Sequence, residues 1–208
     1  TMAESSAATS PRLVKAVQLP SSAGAGLTIK ATAAKWSLTA SRSYQWFINN
    51  KLVAKTTAAQ YKTSTSQKGK TLKVKEIAKF KSGKILTSTS GGVVIGRITF
   101  LNDPSLLYRD EQMTSLEIYP AEVRPSTARI TYQWYRNDVA ISGATSSTYT
   151  FVSADSGALI TAKVTASAPG FSSKSVITEG VEAPVTNDAV TVLLWSDEFD
   201  GAANASPD

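Results

Sequence analysis

The sequence predicts an all-β chain built from two tandem β-sandwiches, and three observations support this fold class. The first is an internal repeat with a period of 88 residues, in which the triplet Tyr-Gln-Trp at 44–46 returns at 132–134. A fixed period indicates one structural unit built twice. The second is that short runs of Val, Ile, Thr and Tyr alternate with Gly, Ser, Asn and Asp, a pattern typical of sandwiches. The third is that no window longer than about ten residues keeps a 3.6-residue apolar period, so we expect almost no helix.

The register of the repeat holds well beyond the triplet. It pairs Tyr61 with Tyr149, Gly69 with Gly157, Lys75 with Lys163, Gly92 with Gly180 and Val93 with Val181. From this register and the composition of the intervening segments we predict five regions. They are an N-terminal linker at 1–10, a first unit at 11–96, a second unit at 97–184, a linker at 185–192 and the start of a different domain at 193–208.

Individual strands are predicted where residues alternate between a buried and an exposed face. Trp46 and Trp134 lie on the buried face of their strands, and each strand runs into a turn, at Asn-Asn 49–50 and at Asn-Asp 137–138. Later strands show the same alternation, with Leu72 and Val74 opposite to Lys73 and Lys75, and Leu116 and Ile118 opposite to Glu117.

The composition excludes several classes of site. The 208 residues include no Cys and no His, which removes disulfides, thiolate metal sites and the Ser-His-Asp and Cys-His arrangements of nucleophilic catalysis. No apolar run approaches the roughly 18–20 residues that a membrane span needs. We therefore expect no cofactor, no metal and no membrane span.

Two tryptophans and two tyrosines form the predicted structural core. A Trp on the third strand of an immunoglobulin-like sandwich normally fills the centre of the core, and Trp46 and Trp134 both lie on the alternating buried face of their strands. Tyr61 and Tyr149 are assigned to the same two cores. A sugar-binding role for the two tryptophans is the alternative, and their place on the alternating buried face speaks against it.

Several motifs together resemble the bacterial immunoglobulin-like repeats of actinobacterial secreted proteins. In the second unit they are Tyr-Gln-Trp at 132–134, Gly-Ala-Thr at 143–145, Ala-Asp-Ser-Gly at 154–157, Lys-Val-Thr at 163–165 and Pro-Gly-Phe at 169–171. Trp36 also fits the pattern, whereas the second unit has Arg124 at that register. The resemblance implies a secreted or cell-surface protein whose modules serve as spacers, adhesion modules or companions of a catalytic domain.

The end of the sequence resembles a different family. The segment Leu-Trp-Ser-Asp-Glu-Phe-Asp-Gly at 194–201 is similar to the opening of family 16 glycoside hydrolases, the β-glucanase and laminarinase group. In that family this segment is an early strand of a jelly roll, and the catalytic motif Glu-x-Asp-x-x-Glu comes much later. The resemblance implies a catalytic domain in cis that acts on β-glucan, and an acidic linker of no further meaning is the alternative.

We expect no catalytic residue within the 208 residues themselves. Retaining glycosidases need two carboxyl groups about 5–5.5 Å apart, which their motif supplies from one strand. The only partial match lies at 117–122, where Glu117 and Glu122 flank a segment that lacks the middle Asp and contains Pro120. The prediction is therefore that this fragment is not an enzyme.

The net charge of +6 conceals an asymmetry between the two units. Residues 1–95 carry thirteen Lys and two Arg against two Glu, a net charge of +13. Residues 96–208 carry seven basic and fourteen acidic residues, a net charge of −7. Such asymmetry bears on partners and solubility rather than on fold.

Lysines supply most of the positive charge of the first unit. The candidate contacts to an anionic wall polysaccharide are Lys68, Lys70, Lys73, Lys75, Lys79 and Lys81. A solvated face is the alternative, because lysine on exposed strands also blocks edge-to-edge aggregation. No nucleic-acid-binding motif and no cluster of arginines accompanies these lysines, so the sequence does not favour nucleic acid as a partner.

Three aromatic residues are candidates for stacking on a sugar ring. Phe47 and Tyr135 occupy equivalent outward positions next to the core Trp of their units, and Trp36 is the third candidate. Cover by a neighbouring strand is the alternative, since exposed aromatic rings commonly pair across strands.

The sequence thus favours a non-catalytic accessory region of a secreted bacterial β-glucan hydrolase. Such a region spaces or orients the enzyme, and we further expect it to contact β-glucan or an anionic cell-wall polysaccharide. The alternative is an adhesion or surface-display stalk without carbohydrate specificity, because fold alone does not decide between these roles.

Overall fold

A computed structural model describes residues 10–185, and these residues form β-strands with no α-helix. The prediction of an all-β chain with almost no helix is therefore confirmed. None of the described segments is a helix with the length and apolar character needed to cross a membrane. The predicted linker at 1–10, apart from Ser10, and everything predicted from residue 186 onward, including the segment at 194–201, lie outside the described residues.

Each unit contains its own set of strands and one short 3₁₀ turn. The first unit has β1 Leu13–Lys15, β2 Thr28–Lys30, β3 Lys35–Trp36, β4 Ala40–Ile48, β5 Lys51–Thr56, β6 Gln60–Lys62, the turn Thr65–Gln67, β7 Thr71–Phe80, β8 Ile85–Thr89 and β9 Val93–Val94. The second has β10 Thr99–Phe100, β11 Ser105–Tyr108, β12 Ser115–Tyr119, β13 Val123–Arg124, β14 Arg129–Arg136, β15 Val139–Ala140, β16 Thr148–Thr150, the turn Ser153–Asp155, β17 Leu159–Ser167, β18 Lys174–Ile177 and β19 Val181–Glu182.

The larger sheet of each unit has the same strand order. In the first unit it is β5-β4-β7-β8, with β9 paired to the start of β7, and in the second it is β15-β14-β17-β18, with β19 paired to the start of β17. All these pairs are antiparallel. Small sheets cover the inner face, β2-β6 and β1-β3 in the first unit and β11-β12-β16 and β10-β13 in the second. The result is two tandem antiparallel sandwiches of immunoglobulin type.

The core of each unit is centred on its tryptophan. Trp46 and Trp134 are both fully buried, at 0% exposure. The ring of Trp46 stacks on that of Tyr61 with centroids 5.6 Å apart, and Trp134 stacks on Tyr149 at 5.4 Å. The indole N–H of Trp46 donates to Oγ1 of Thr56 at 3.0 Å, and that of Trp134 donates to the carbonyl oxygen of Ser146 at 2.8 Å. Burial therefore leaves neither indole N–H without an acceptor. The two tryptophans therefore lie inside the cores and not on a surface.

The two predicted hairpin turns set the register of the central strands. Asn49 and Asn50 have φ of 47° and 65°, and Asn137 and Asp138 have φ of 44° and 64°. Positive φ at both central residues defines the two-residue turn whose twist matches that of paired strands, and Asn and Asp tolerate this conformation. The turns at 49–50 and 137–138 thus form as the sequence indicated.

The two units meet through a short junction built from backbone atoms. The loop between β17 and β18 reaches back to the first unit, where the amide of Ala25 donates to the carbonyl of Gly170 at 2.8 Å. The amide of Ser172 donates to the carbonyl of Gly96, also at 2.8 Å. Residues Arg97 and Ser172 form an isolated parallel bridge at the same place.

Two glycines make this close approach possible. Gly96 and Gly170 have φ of 75° and 78°, which residues with a side chain rarely adopt. A Cβ at residue 170 would lie 2.6 Å from the carbonyl oxygen of Ala25, and a Cβ at residue 96 would lie 3.1 Å from the carbonyl oxygen of Gly170. The junction therefore depends on the absence of side chains at both positions.

Candidate functional site

The lysines of the first unit include a row on the outer face of its larger sheet. Along β7 the inward residues Leu72 and Val74 are fully buried, and the side chains between them point outward. Lys73, Lys75 and Lys79 therefore share the solvent-facing side of one strand. Residues two apart on a strand are about 6–7 Å apart, so Lys73 and Lys75 are neighbours on this face, and Ile77 lies between Lys75 and Lys79.

Phe47 lies next to this row on the neighbouring strand. It pairs with Lys73 of β7 on one side and with Leu52 of β5 on the other. Phe47 is half-buried, and Leu52 is 42% exposed. The ammonium group of Lys73 donates to the side-chain oxygen of Asn50 at 3.1 Å. The structure thus brings one aromatic candidate and three of the six lysine candidates, Lys73, Lys75 and Lys79, onto a single face.

The remaining candidates lie elsewhere. Lys68 and Lys70 are exposed in the turn before β7, and Lys81 is exposed in the loop after it. Since β7 has ten residues, these two groups lie on the order of 30 Å apart along the strand direction. The six predicted lysines therefore do not form one compact site.

Tyr135 occupies the equivalent outward position in the second unit. It is half-buried between Ala140 of β15 and Thr161 of β17. Thr161 is the counterpart of Lys73, so no cation lies directly opposite the ring of Tyr135, and Lys163 is two residues further along the same face of β17. Phe47 and Tyr135 belong to separate sheets and do not form a joint platform.

The structure corrects the expectation for Trp36. Its side chain is buried, with 7% exposure, and its ring packs edge-on against Phe80 with centroids 5.9 Å apart. Its indole N–H donates to Oε1 of Glu76 at 2.8 Å. Neither face of the ring is open to a sugar, so Trp36 is a residue of the core.

A buried carboxylate in the first unit was not foreseen from the sequence. Glu76 is fully buried on the inward side of β7, where it also accepts the amide of Ala34 at 2.7 Å and lies 3.4 Å from the guanidinium of Arg42. Burial and, to a lesser degree, the charge of Glu76 raise the pKa of Tyr44. This network holds β3 against the larger sheet, and its carboxylate does not reach solvent.

The second unit has a buried carboxylate at a different place. Asp155 accepts hydrogen bonds from the hydroxyl of Tyr149 at 2.8 Å and from the amide of Val152 at 2.7 Å, and it forms an ion pair with Arg136. Burial, followed by the hydrogen bond to Asp155, raises the pKa of Tyr149. In the first unit Gln67 replaces Asp155, and its side-chain amide donates a hydrogen bond to the hydroxyl of Tyr61 at 2.7 Å. These contacts are structural in both units.

The partial carboxylate motif at 117–122 has no catalytic geometry. Strand β12 ends at Tyr119, immediately before Pro120, so Glu117 and Glu122 do not share a strand. Glu117 lies 3.8 Å from Arg109, and the amide of Glu122 donates to the side chain of Asn102. Within residues 10–185 there is no group of three or more His, Cys, Asp or Glu residues with the geometry of a metal site.

Comparison with known proteins finds likeness in structure only. No family model matches the sequence, and no match is found among curated proteins. Among solved structures, a Ca²⁺-stabilized adhesin that helps an Antarctic bacterium reach out and bind ice is 11% identical, with a TM-score of 0.34. That match covers 82% of this chain and 49% of the adhesin chain, so this chain spans about half of that structure.

Two further matches are to tandem modules. The tandem Ig repeats of Dlar are 10% identical over 81% of this chain and 95% of theirs, with a TM-score of 0.26. The fibronectin(III)-like modules of CbhA from Clostridium thermocellum are 13% identical over 82% of this chain and 93% of theirs, with a TM-score of 0.30. Because all three TM-scores are below 0.5, the fold assignment rests on the sheets and cores described above.

Proposed function

We propose that this chain is a non-catalytic spacer. It would fix the distance and the relative orientation of the segments attached to its two ends. The observation that carries the proposal is the junction between the two units. Linked domains without a substantial mutual contact are free to move relative to each other. Here, backbone bonds at Ala25–Gly170 and Gly96–Ser172 tie them together, and two glycines permit the contact.

The outer face of the first unit supports an additional role as a tether. A flat surface that bears a row of lysines and one aromatic ring suits contact with an anionic polymer more than it suits chemistry on a small substrate. The second unit, with its net negative charge and a threonine next to Tyr135, lacks this combination. The tether is therefore assigned to the first unit, with anionic wall polysaccharide as the proposed partner.

The finer proposal is that the spacer serves a secreted β-glucan hydrolase. Its support is the similarity of residues 194–201 to the opening of family 16 glycoside hydrolases. The paired carboxylates of that reaction class would then belong to a domain beyond the described residues, and Glu117 and Glu122 would play no part.

The experiment compares residues 1–208 with a version extended through the proposed catalytic domain. Reducing-sugar release from β-1,3- or mixed-linkage glucan is expected from the extended protein alone. Turnover by residues 1–208 that is abolished by Glu117→Gln would overturn the non-catalytic assignment. An extended protein without activity on either glucan would overturn the glucanase assignment and leave the spacer proposal to be judged by the rigidity of the junction.

A further inference from the structure

An open cleft of about 600 Å³ lies between the two units. Its walls come from the turn before β7, from the segment that links the units and from the start of β18. The junction described above forms its floor, because Gly96 and Ser172 both line the cleft and are hydrogen-bonded to each other. A volume of this size lies within the usual range of ligand sites, about 300–1,000 Å³.

Three cations line this cleft, and no carboxylate does. They are Lys68, Arg97 and Lys174, and all three residues are exposed. None takes part in the three ion pairs found among the described residues. The ammonium group of Lys174 lies 5.7 Å from the centre of the Phe100 ring, which orients it without neutralising it. Like charges around one cleft repel each other, and a bound anion relieves that repulsion.

The cations are specific to the junction and are not inherited from the repeat. At the 88-residue register Lys68 corresponds to Ser156, Lys174 to Leu86 and Arg97 to Val185. None of the three equivalent positions carries a charge. The cluster therefore arises only where the first unit meets the second.

We propose that this cleft binds the anionic groups of an acidic, hydroxyl-rich polymer, that is, a polysaccharide or polyol chain bearing carboxylate or phosphate. Arg97 supplies a planar, permanently charged donor suited to either group. Lys68 and Lys174 supply charge on either side, and the hydroxyls of Ser172 and Ser173 supply neutral donors for the ligand's own hydroxyls. This site is distinct from the outer face of β7 and is not required by a spacer role.

The geometry makes binding depend on the junction as well as on the charges. Lys68 belongs to the first unit and Lys174 to the second, and they face one cleft only while the two units are in contact. The stem of Lys68 also packs over Gly96, since a Cβ there would lie 2.7 Å from its Cγ. Separation of the units would therefore abolish the site without the removal of any charge.

The test measures binding of three defined probes to residues 1–208 by isothermal titration calorimetry. The probes are trigalacturonate, which carries carboxylates, a glycerol-phosphate trimer, which carries phosphates, and neutral laminaritriose. The expected result is binding of at least one anionic probe, accompanied in NMR spectra by shifts of the backbone amide resonances of Gly96, Ser172 and Ser173. Comparison of the two anionic probes shows whether the cleft prefers carboxylate or phosphate groups on the ligand. Equal affinity for laminaritriose would overturn the proposal.

Four variants separate the cleft from net charge. Arg97→Gln and Lys174→Gln should each weaken binding roughly fivefold at low salt. Lys15→Gln removes the same charge from an exposed position on β1, outside the cleft, and should leave the affinity unchanged. Gly170→Ala keeps every cation but places a Cβ against Ala25, so it should abolish binding while both units keep their unfolding transitions. Equal losses in Lys15→Gln and Lys174→Gln, or full affinity in Gly170→Ala, would overturn the proposal.

Discussion

At the scale of single residues, aromatic side chains that are adjacent in the sequence lie in different environments, one in the core and the next on the surface. Trp46 and Trp134 fill their cores and satisfy their indole N–H groups internally. Phe47, one residue later, faces outward and is half-buried. Because neighbours on a strand point to opposite faces, one step along the sequence separates a core residue from a surface candidate.

The first prediction follows from this contrast. Trp46→Ala and Trp134→Ala should each destabilise their own unit by roughly 3–5 kcal/mol, because each leaves a large cavity in a close-packed core. Phe47→Ala is the matched control and should cost much less. Urea unfolding followed separately for each unit measures the effect. A tryptophan variant that unfolds at the same urea concentration as the parent would contradict the core assignment.

The second prediction concerns pH and two buried tyrosines. Tyr44 and Tyr149 have raised pKa values in the folded protein, chiefly because burial disfavours the charged phenolate. The unfolded chain therefore loses these protons first, near pH 10. The stability they contribute is complete below that pH and is lost as the pH rises through the folded pKa values.

Urea unfolding between pH 8 and pH 11 tests this sign. The free energy of unfolding should decline as the pH rises, and Tyr44→Phe should make the decline shallower. Tyr119→Phe, which removes a hydroxyl from a side chain that is 53% exposed, is the control. Stability that increases with pH above 10 would refute the assignment.

At the scale of elements, the predictable features were those with a local cause. The turns at 49–50 and 137–138 need only residues that tolerate positive φ, and the faces of β4 and β7 need only alternation. Glu76 was missed, although the sequence held a signal for it. It occupies an inward position two residues after Val74, where an acid must find partners inside the core.

The third prediction tests the hairpin turns. Asn50→Val should destabilise the first unit by about 1–3 kcal/mol, because a β-branched residue is strained at a φ of 65°. Asp138→Val should have the same effect on the second unit. Lys51→Val, one residue later at the start of β5, is the control and should be tolerated. Thermal unfolding distinguishes these outcomes, and a harmless Asn50→Val would show that the turn does not determine the register.

The fourth prediction tests the row of lysines on β7. Replacement of Lys73, Lys75 and Lys79 by Gln should move the elution of the protein from an anionic-polysaccharide column to markedly lower salt. The control replaces Lys15, Lys30 and Lys62, exposed lysines on the small sheets that cover the opposite side. It removes the same charge and should have a smaller effect. Equal shifts for the two triple variants would mean that net charge alone, and not this face, causes retention.

At the scale of the whole molecule, the contact between the two units and the charged cleft beside it could not be predicted from the sequence. The Pro-Gly-Phe motif at 169–171 is visible in the sequence, but its purpose appears only when the loop meets Ala25 and Gly96 of the other unit. The charged cleft has the same origin, because Lys68 and Lys174 are 106 positions apart in the chain. A contact between units leaves no periodic signal within either unit.

The central claim is that the junction holds the two units in one arrangement. The chain has no native cysteine, so Thr57→Cys in the first unit and Ser142→Cys in the second, both exposed positions, allow specific attachment of two spin labels. Double electron–electron resonance should give a single narrow distance distribution, and Gly170→Ala should broaden it. A broad distribution in the otherwise unaltered protein would contradict the claim.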